Sequence, residues 1–209
     1  MLTMLEWIRL GGPMTLLILG CGVVAAWVVA KRMLDLHRAQ IKTGDFLKGI
    51  FNVVSRGNLV EAVSICEETP GPVAQMVRVA VLEQKQGRER VQRAMEEVAL
   101  AEIPRLERLL PLLLTIAQIT PLIGLLGTVL GMMDIMQTIH LKSPLLHAGD
   151  LDGGLWTALV STAFSLTVAI PTYAAYNLLV SRVESIVLDM ERSFGEIVLF
   201  LSRLEQEER

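Results

Sequence analysis

The chain has 209 residues, is 52% hydrophobic with a mean hydropathy of +0.50, and carries a net charge of −3. A soluble domain of this length does not keep charge-free runs like those at 10–30, 109–133 and 155–181, each long enough to cross ~30 Å of hydrocarbon with ~20 helical residues. Net acidity and scattered basic residues exclude nucleic acid as a partner. Cys21 in an apolar run and Cys66 in a polar one are not expected to form a disulfide.

The expected architecture is an all-α integral membrane protein with three transmembrane helices, the second and third extending into the cytoplasm. Residues 1–9 form a short N-terminal segment and 10–30 the first span. No basic region precedes this span, and Lys31 and Arg32 follow it as a stop-transfer pattern rather than a signal-peptide cleavage site. Segment 31–108 carries most of the Lys and Arg, whereas loop 137–154 has only Lys142. The positive-inside rule therefore places 31–108 and the tail 182–209 in the cytoplasm, with the N-terminus and the loop outside. Trp7 and Trp156 then lie near the outer interface and Trp27 near the inner one.

The cytoplasmic segment reads as helices separated by Gly/Pro breaks. Asp45 is expected to cap one helix. Gly57 and Asn58 end one helix and start the next, with Glu61 as the capping-box partner. Thr69-Pro70-Gly71-Pro72 breaks the chain again. From about Val73 the pattern runs helical into the second span, bent or accommodated at Pro104 and Pro111. In the tail, Val183, Val187, Met190, Phe194, Ile197, Leu201 and Leu204 recur with a 4-3 spacing, the seam of a helix packed on other helices.

The second span, 109–136, places Ala117, Thr120, Gly124, Gly127 and Gly131 on one face, with Thr128 at its edge and Leu122, Leu125, Leu126 and Val129 opposite. Small-residue faces drive helix packing in lipid, where apolar burial gives helices no reason to associate. In the third span, 155–181, Thr157, Ser161, Ser165 and Thr172 line one stripe, with Thr162 off its edge. These hydroxyls either bond back to their own carbonyls or, repeated by oligomerisation, line a narrow, weakly polar passage. No span has an Asp, Glu or His in its middle; Asp134 stands nearest, at the outer end of span two. A chain that conducts protons through these spans must borrow its acid from another chain. His140, His147, Asp150 and Asp152 read as ordinary loop polarity rather than as a metal site. No metal, no cofactor and no enzymatic motif is expected.

The run from Arg105 to Pro111 and on through Thr120-Pro121-Leu122-Ile123-Gly124-Leu125-Leu126-Gly127-Thr128-Val129-Leu130-Gly131 resembles the signature of the ExbB/TolQ/MotA proton-channel family. Ala158-Leu159-Val160-Ser161-Thr162-Ala163, with Ala169-Ile170-Pro171 and Tyr176-Asn177, is similar to the third-span motif of its ExbB and TolQ branch. The cytoplasmic stretch from Gly57 to Ala62 points the same way. The resemblance implies a bacterial inner-membrane homo-oligomer, a pentameric ring around an ExbD/TolR-like partner with a single membrane helix. That partner supplies a membrane aspartate, and the work passes to TonB or a Tol component.

By position, the resemblance assigns the proton path to Thr128 and Thr162; Thr157 and Ser161 of the hydroxyl stripe are expected to join them. Helix packing falls to Gly124, Gly127 and Gly131, and structural roles to Pro121 and Pro171. Thr157 stands where several family members have glutamate. Three spans make a MotA-type stator, which has four, a weaker fit. A structural scaffold and a solute transporter are the readings from other classes; the absence of an inverted repeat disfavours the latter.

Overall fold

The computed structural model describes residues 12–39, 42–142 and 147–207. The N-terminal segment with Trp7, the start of the first span at Leu10 and the side chain of Leu204 lie outside the described residues. The described chain is helical: α1 (Gly12–Ala39), α2 (Thr43–Ser55), α3 (Leu59–Glu68), α4 (Pro72–Glu83), α5 (Arg88–Glu107), α6 (Leu110–Lys142) and α7 (Asp152–Glu207), with short 3-10 turns at Gln84–Gln86 and Ala148–Asp150. Three stretches, within α1, α6 and α7, are long and apolar enough to cross a membrane.

The chain divides into two compact units, and α7 contributes to both. The first comprises 1–31 and 109–178. Its interior mixes the apolar side chains of Ile18, Val28, Leu113, Ile116 and Val160 with small and hydroxylated residues: Thr15 and Ala25 on α1, Ala117, Thr120, Gly124, Gly127 and Gly131 on α6, and Ala158, Ser161, Ser165 and Thr172 on α7. Many of its large side chains, among them Leu122, Leu125, Leu126 and Val129, are exposed. That outward display of leucine suits a bundle in lipid, where leucine gains nothing by turning inward and backbones gain contact by approaching closely. Pro121 and Pro171 sit inside α6 and α7 without interrupting them.

The second unit comprises 32–108 and 179–209 and has a conventional apolar core that includes Leu47, Ile50, Ala62, Cys66, Met76, Val77, Ala80 and Met95. At Gly57, with φ +78°, the amides of Gly57 and Asn58 close on the carbonyls of Val54 (2.9 Å) and Val53 (3.3 Å), the usual left-handed helix ending. Asn58 then starts α3. Its Oδ1 accepts from the Glu61 amide at 3.4 Å, and its Nδ2 donates to the Glu61 carboxylate at 2.6 Å. The expected capping partnership is present.

Three expectations need correction. Asp45 does not cap α2: the Lys42 carbonyl already accepts the Phe46 amide at 3.1 Å, so Asp45 falls in the first helical turn. There its charge still suits the amide end of the helix. The helix expected from Val73 into the second span is three helices, broken at Gln84–Gln86 and again at Arg108 and Leu109.

The tail seam is also shifted. Leu179, Val183, Ile186, Met190, Ser193 and Ile197 are buried, whereas Val187 and Phe194 are half-buried and Leu201 sits at the edge. Ser193 joins the seam because its hydroxyl donates to the Asp189 carbonyl at 2.6 Å, which removes the cost of burying it. Phe200 stacks on Phe51 of α2 with ring centroids 4.2 Å apart.

Candidate functional site

The hydroxyl-bearing helices of the first unit form the candidate site. The glycines of α6 bring its backbone against α7. A Cβ added at Gly124 would collide with the Ser165 side chain, and one at Gly127 would lie 2.6 Å from Ser161 Cβ. At Gly131 an added Cβ would meet the Gly154 carbonyl oxygen at 2.5 Å and the Ala158 amide nitrogen at 2.9 Å. The third helix closes the bundle: Gly12 of α1 lies by Thr157, Gly22 by Val168, and Met14 by Gly127. The small-residue stripe of span two and the hydroxyl stripe of span three thus face one another within one chain.

This arrangement sorts the hydroxyls. Ser161 and Ser165 lie in the seam, buried, donating to the carbonyls of Ala158 at 3.0 Å and Thr162 at 2.8 Å. Thr120 and Thr172 are also buried, each donating to the carbonyl four residues back. Thr128, Thr157 and Thr162 keep part of their surface open. Thr128 donates to the Leu125 carbonyl at 2.6 Å, Thr157 to that of Gly153 at 2.9 Å and Thr162 to that of Ala158 at 3.1 Å. Thr128 also lines an open apolar groove along α6 with Val129, Met132, Met133 and Met136. Asp134 is exposed beyond it.

Thr15 is the polar residue that sequence reasoning missed. It is fully buried on α1, and its Oγ1 has no hydrogen-bond partner. Its signal was present: it is the only hydroxyl in the first charge-free run.

Described polar residues of the loop between α6 and α7 pair among themselves. Lys142 at the end of α6 bonds to the Asp150 carboxylate, which also accepts the His147 amide at 3.0 Å. The Lys142 hydrogen bond, with that amide, holds Asp150 below the usual carboxylate range. Among the described residues no group of three or more His, Cys, Asp or Glu side chains is placed to hold a metal ion.

Residues 68–192 match the model of the MotA/TolQ/ExbB proton channel family. Among curated proteins, a homolog of biopolymer transport protein ExbB from Methanothermobacter thermautotrophicus is 26% identical over 87% of this chain and 64% of its own length. The Tol-Pal system protein TolQ of Haemophilus influenzae is 38% identical over 53% of this chain and 48% of its own. The biopolymer transport protein ExbB of Aquifex aeolicus is 40% identical over 44% of this chain and 61% of its own. The matched part spans less than two thirds of each of these relatives.

Proposed function

The chain belongs to the MotA/TolQ/ExbB proton channel family, and on that premise we propose that it is the multi-pass subunit of a proton-driven motor in the bacterial inner membrane, not an enzyme. Several copies, five in the simplest assembly, surround the membrane helices of an ExbD/TolR-like partner. The partner contributes the titrating acid and carries the work to a TonB- or Tol-type system. The N-terminus faces the periplasm and the C-terminus the cytoplasm.

One observation carries this reading. The spans carry hydroxyls but no Asp, Glu or His in their middles, and of those hydroxyls Thr128 and Thr162 stay partly open while Ser161 and Ser165 are consumed in the seam. Thr128 and Thr162 are the residues assigned to the proton path, with Thr157 toward its outer end. Ser161 acts through packing. A proton crossing 100 mV releases about 2.3 kcal/mol, so a few per step suffice to switch an interface between two packed arrangements.

The test is proton flux in liposomes holding this chain with its single-span partner. Thr128→Val and Thr162→Val keep the side-chain shape and remove the hydroxyl. Each is expected to reduce partner-dependent flux about tenfold, a barrier increase of about 1.4 kcal/mol. Undiminished flux in both removes these residues from the path. Purification without any single-span partner, and no flux at all, favours a structural scaffold instead.

A further inference from the structure

Arg32 is the buried charge that the proposed function does not use. It is 6% exposed, and its guanidinium donates to the Arg105 carbonyl at 3.2 Å and to that of Leu106. Asp35, one turn along α1, lies 3.7 Å from it. Its Nε has no acceptor. Burial pushes its pKa below the ordinary value, and Asp35 opposes that shift.

The two carbonyls identify the role. In an uninterrupted α-helix the Arg105 and Leu106 carbonyls would accept the amides of Leu109 and Leu110, four residues on. Here α5 stops at Glu107. Arg108 has φ −53° and ψ 134°, and Leu109 has φ +72°. These are the angles at the centre of a type II turn, whose second central position favours glycine, not leucine.

Proline alone does not account for the break. Pro111 removes one amide, yet Pro104, Pro121 and Pro171 each sit inside a helix that continues past them. What distinguishes the 107–110 junction is a guanidinium already seated on the carbonyls. Arginine suits this role because it presents several donors in a planar fork and stays charged.

We propose that Arg32 is a positioning residue that ends α5 and makes α6 a separate helix, by occupying the Arg105 and Leu106 carbonyls in place of the Leu109 and Leu110 amides. The break is a latch supplied by a residue distant in sequence, not a stop written into the local chain. Without the guanidinium, the two amides reclaim their carbonyls and Leu109 leaves the left-handed region for the helical one. The inference concerns the helix junction alone and stands whether or not the chain conducts protons.

The experiment is solid-state NMR of the full chain in bilayers, reading the Leu109 Cα and Cβ shifts and the exchange of the Leu109 and Leu110 amides. In Arg32→Met the Leu109 shifts are expected to move to helical values and both amides to slow at least tenfold. Arg32→Lys, which keeps a donor but loses the fork, is expected to fall between. Left-handed Leu109 shifts and unchanged exchange in Arg32→Met overturn the proposal. Leu109→Gly provides a second arm that keeps Arg32 and suits the turn. A raised unfolding midpoint is expected, and a lowered one overturns the proposal.

Discussion

Gly127 of α6 faces Ser161 of α7 so closely that a single added methyl would stand 2.6 Å from the serine Cβ. The same is true one turn further along, where Gly131 meets backbone rather than side chain. Backbone in a helix cannot swing aside, so Gly131→Ala should destabilise the bundle by about 1–3 kcal/mol, the usual cost of overpacking. Gly20, with nothing within 4 Å of its added Cβ, is the control. Thermal unfolding in detergent should separate the two variants, and equal midpoints would mean that α6 and α7 are not in contact at Gly131.

The Asn58 cap should be separable from its side-chain volume. Asn58→Ala loses both bonds to Glu61 and should cost about 1 kcal/mol, whereas Asn58→Gly should cost only a few tenths. Urea unfolding of the full chain, followed by the helical signal, is the measurement. Equal losses in the two variants would show that the cap bond contributes nothing.

Cys66 is 1% exposed, and burial raises its thiol pKa from 9.0 to about 11. At pH 8 this leaves about 100-fold less thiolate than in the unfolded chain, so alkylation by iodoacetamide should be slower by at least that factor. The folded state holds its proton more tightly. Its contribution is therefore complete below pH 9 and falls by on the order of 2 kcal/mol as pH rises from 9 to 11. Cys66→Ala should lose that dependence, and a variant that keeps it would assign it to another group.

Phe51 and Phe200 stack with ring planes 16° apart. A double-mutant cycle with Phe51→Leu and Phe200→Leu should give a coupling of about 0.5–1.5 kcal/mol. Strict additivity would indicate that the tail of α7 does not rest on α2 in the folded protein.

The features legible in the sequence are those whose cause is local. Charge-free runs mark the spans, Asn58 and Glu61 mark a helix start because their bonds reach only three residues, and the glycine face of α6 follows from helical periodicity. What escaped depends on distant partners. The α5–α6 junction is set by Arg32, more than seventy residues upstream of the carbonyls it binds. Ser193 gives no signal in an apolar pattern, although a serine that bonds to its own helix can enter a core. Ile186 and Ser193 each lie one step away from the more conspicuous Val187 and Phe194, which mask the true seam. Among the candidate site residues, sequence placed Ser161 and Thr162 side by side in one motif. Only the packing against Gly127 separates a hydroxyl in the seam from one at its margin.

Thr128 and Thr162 each spend their single hydroxyl proton on a carbonyl of their own helix. What they turn toward a visitor is lone pairs alone. A neutral acid, still carrying its hydrogen, finds a ready acceptor there; an ionised one meets oxygen facing oxygen. On the proposed function, the bundle wall would discriminate between two chemical forms of the same guest without bearing any charge of its own.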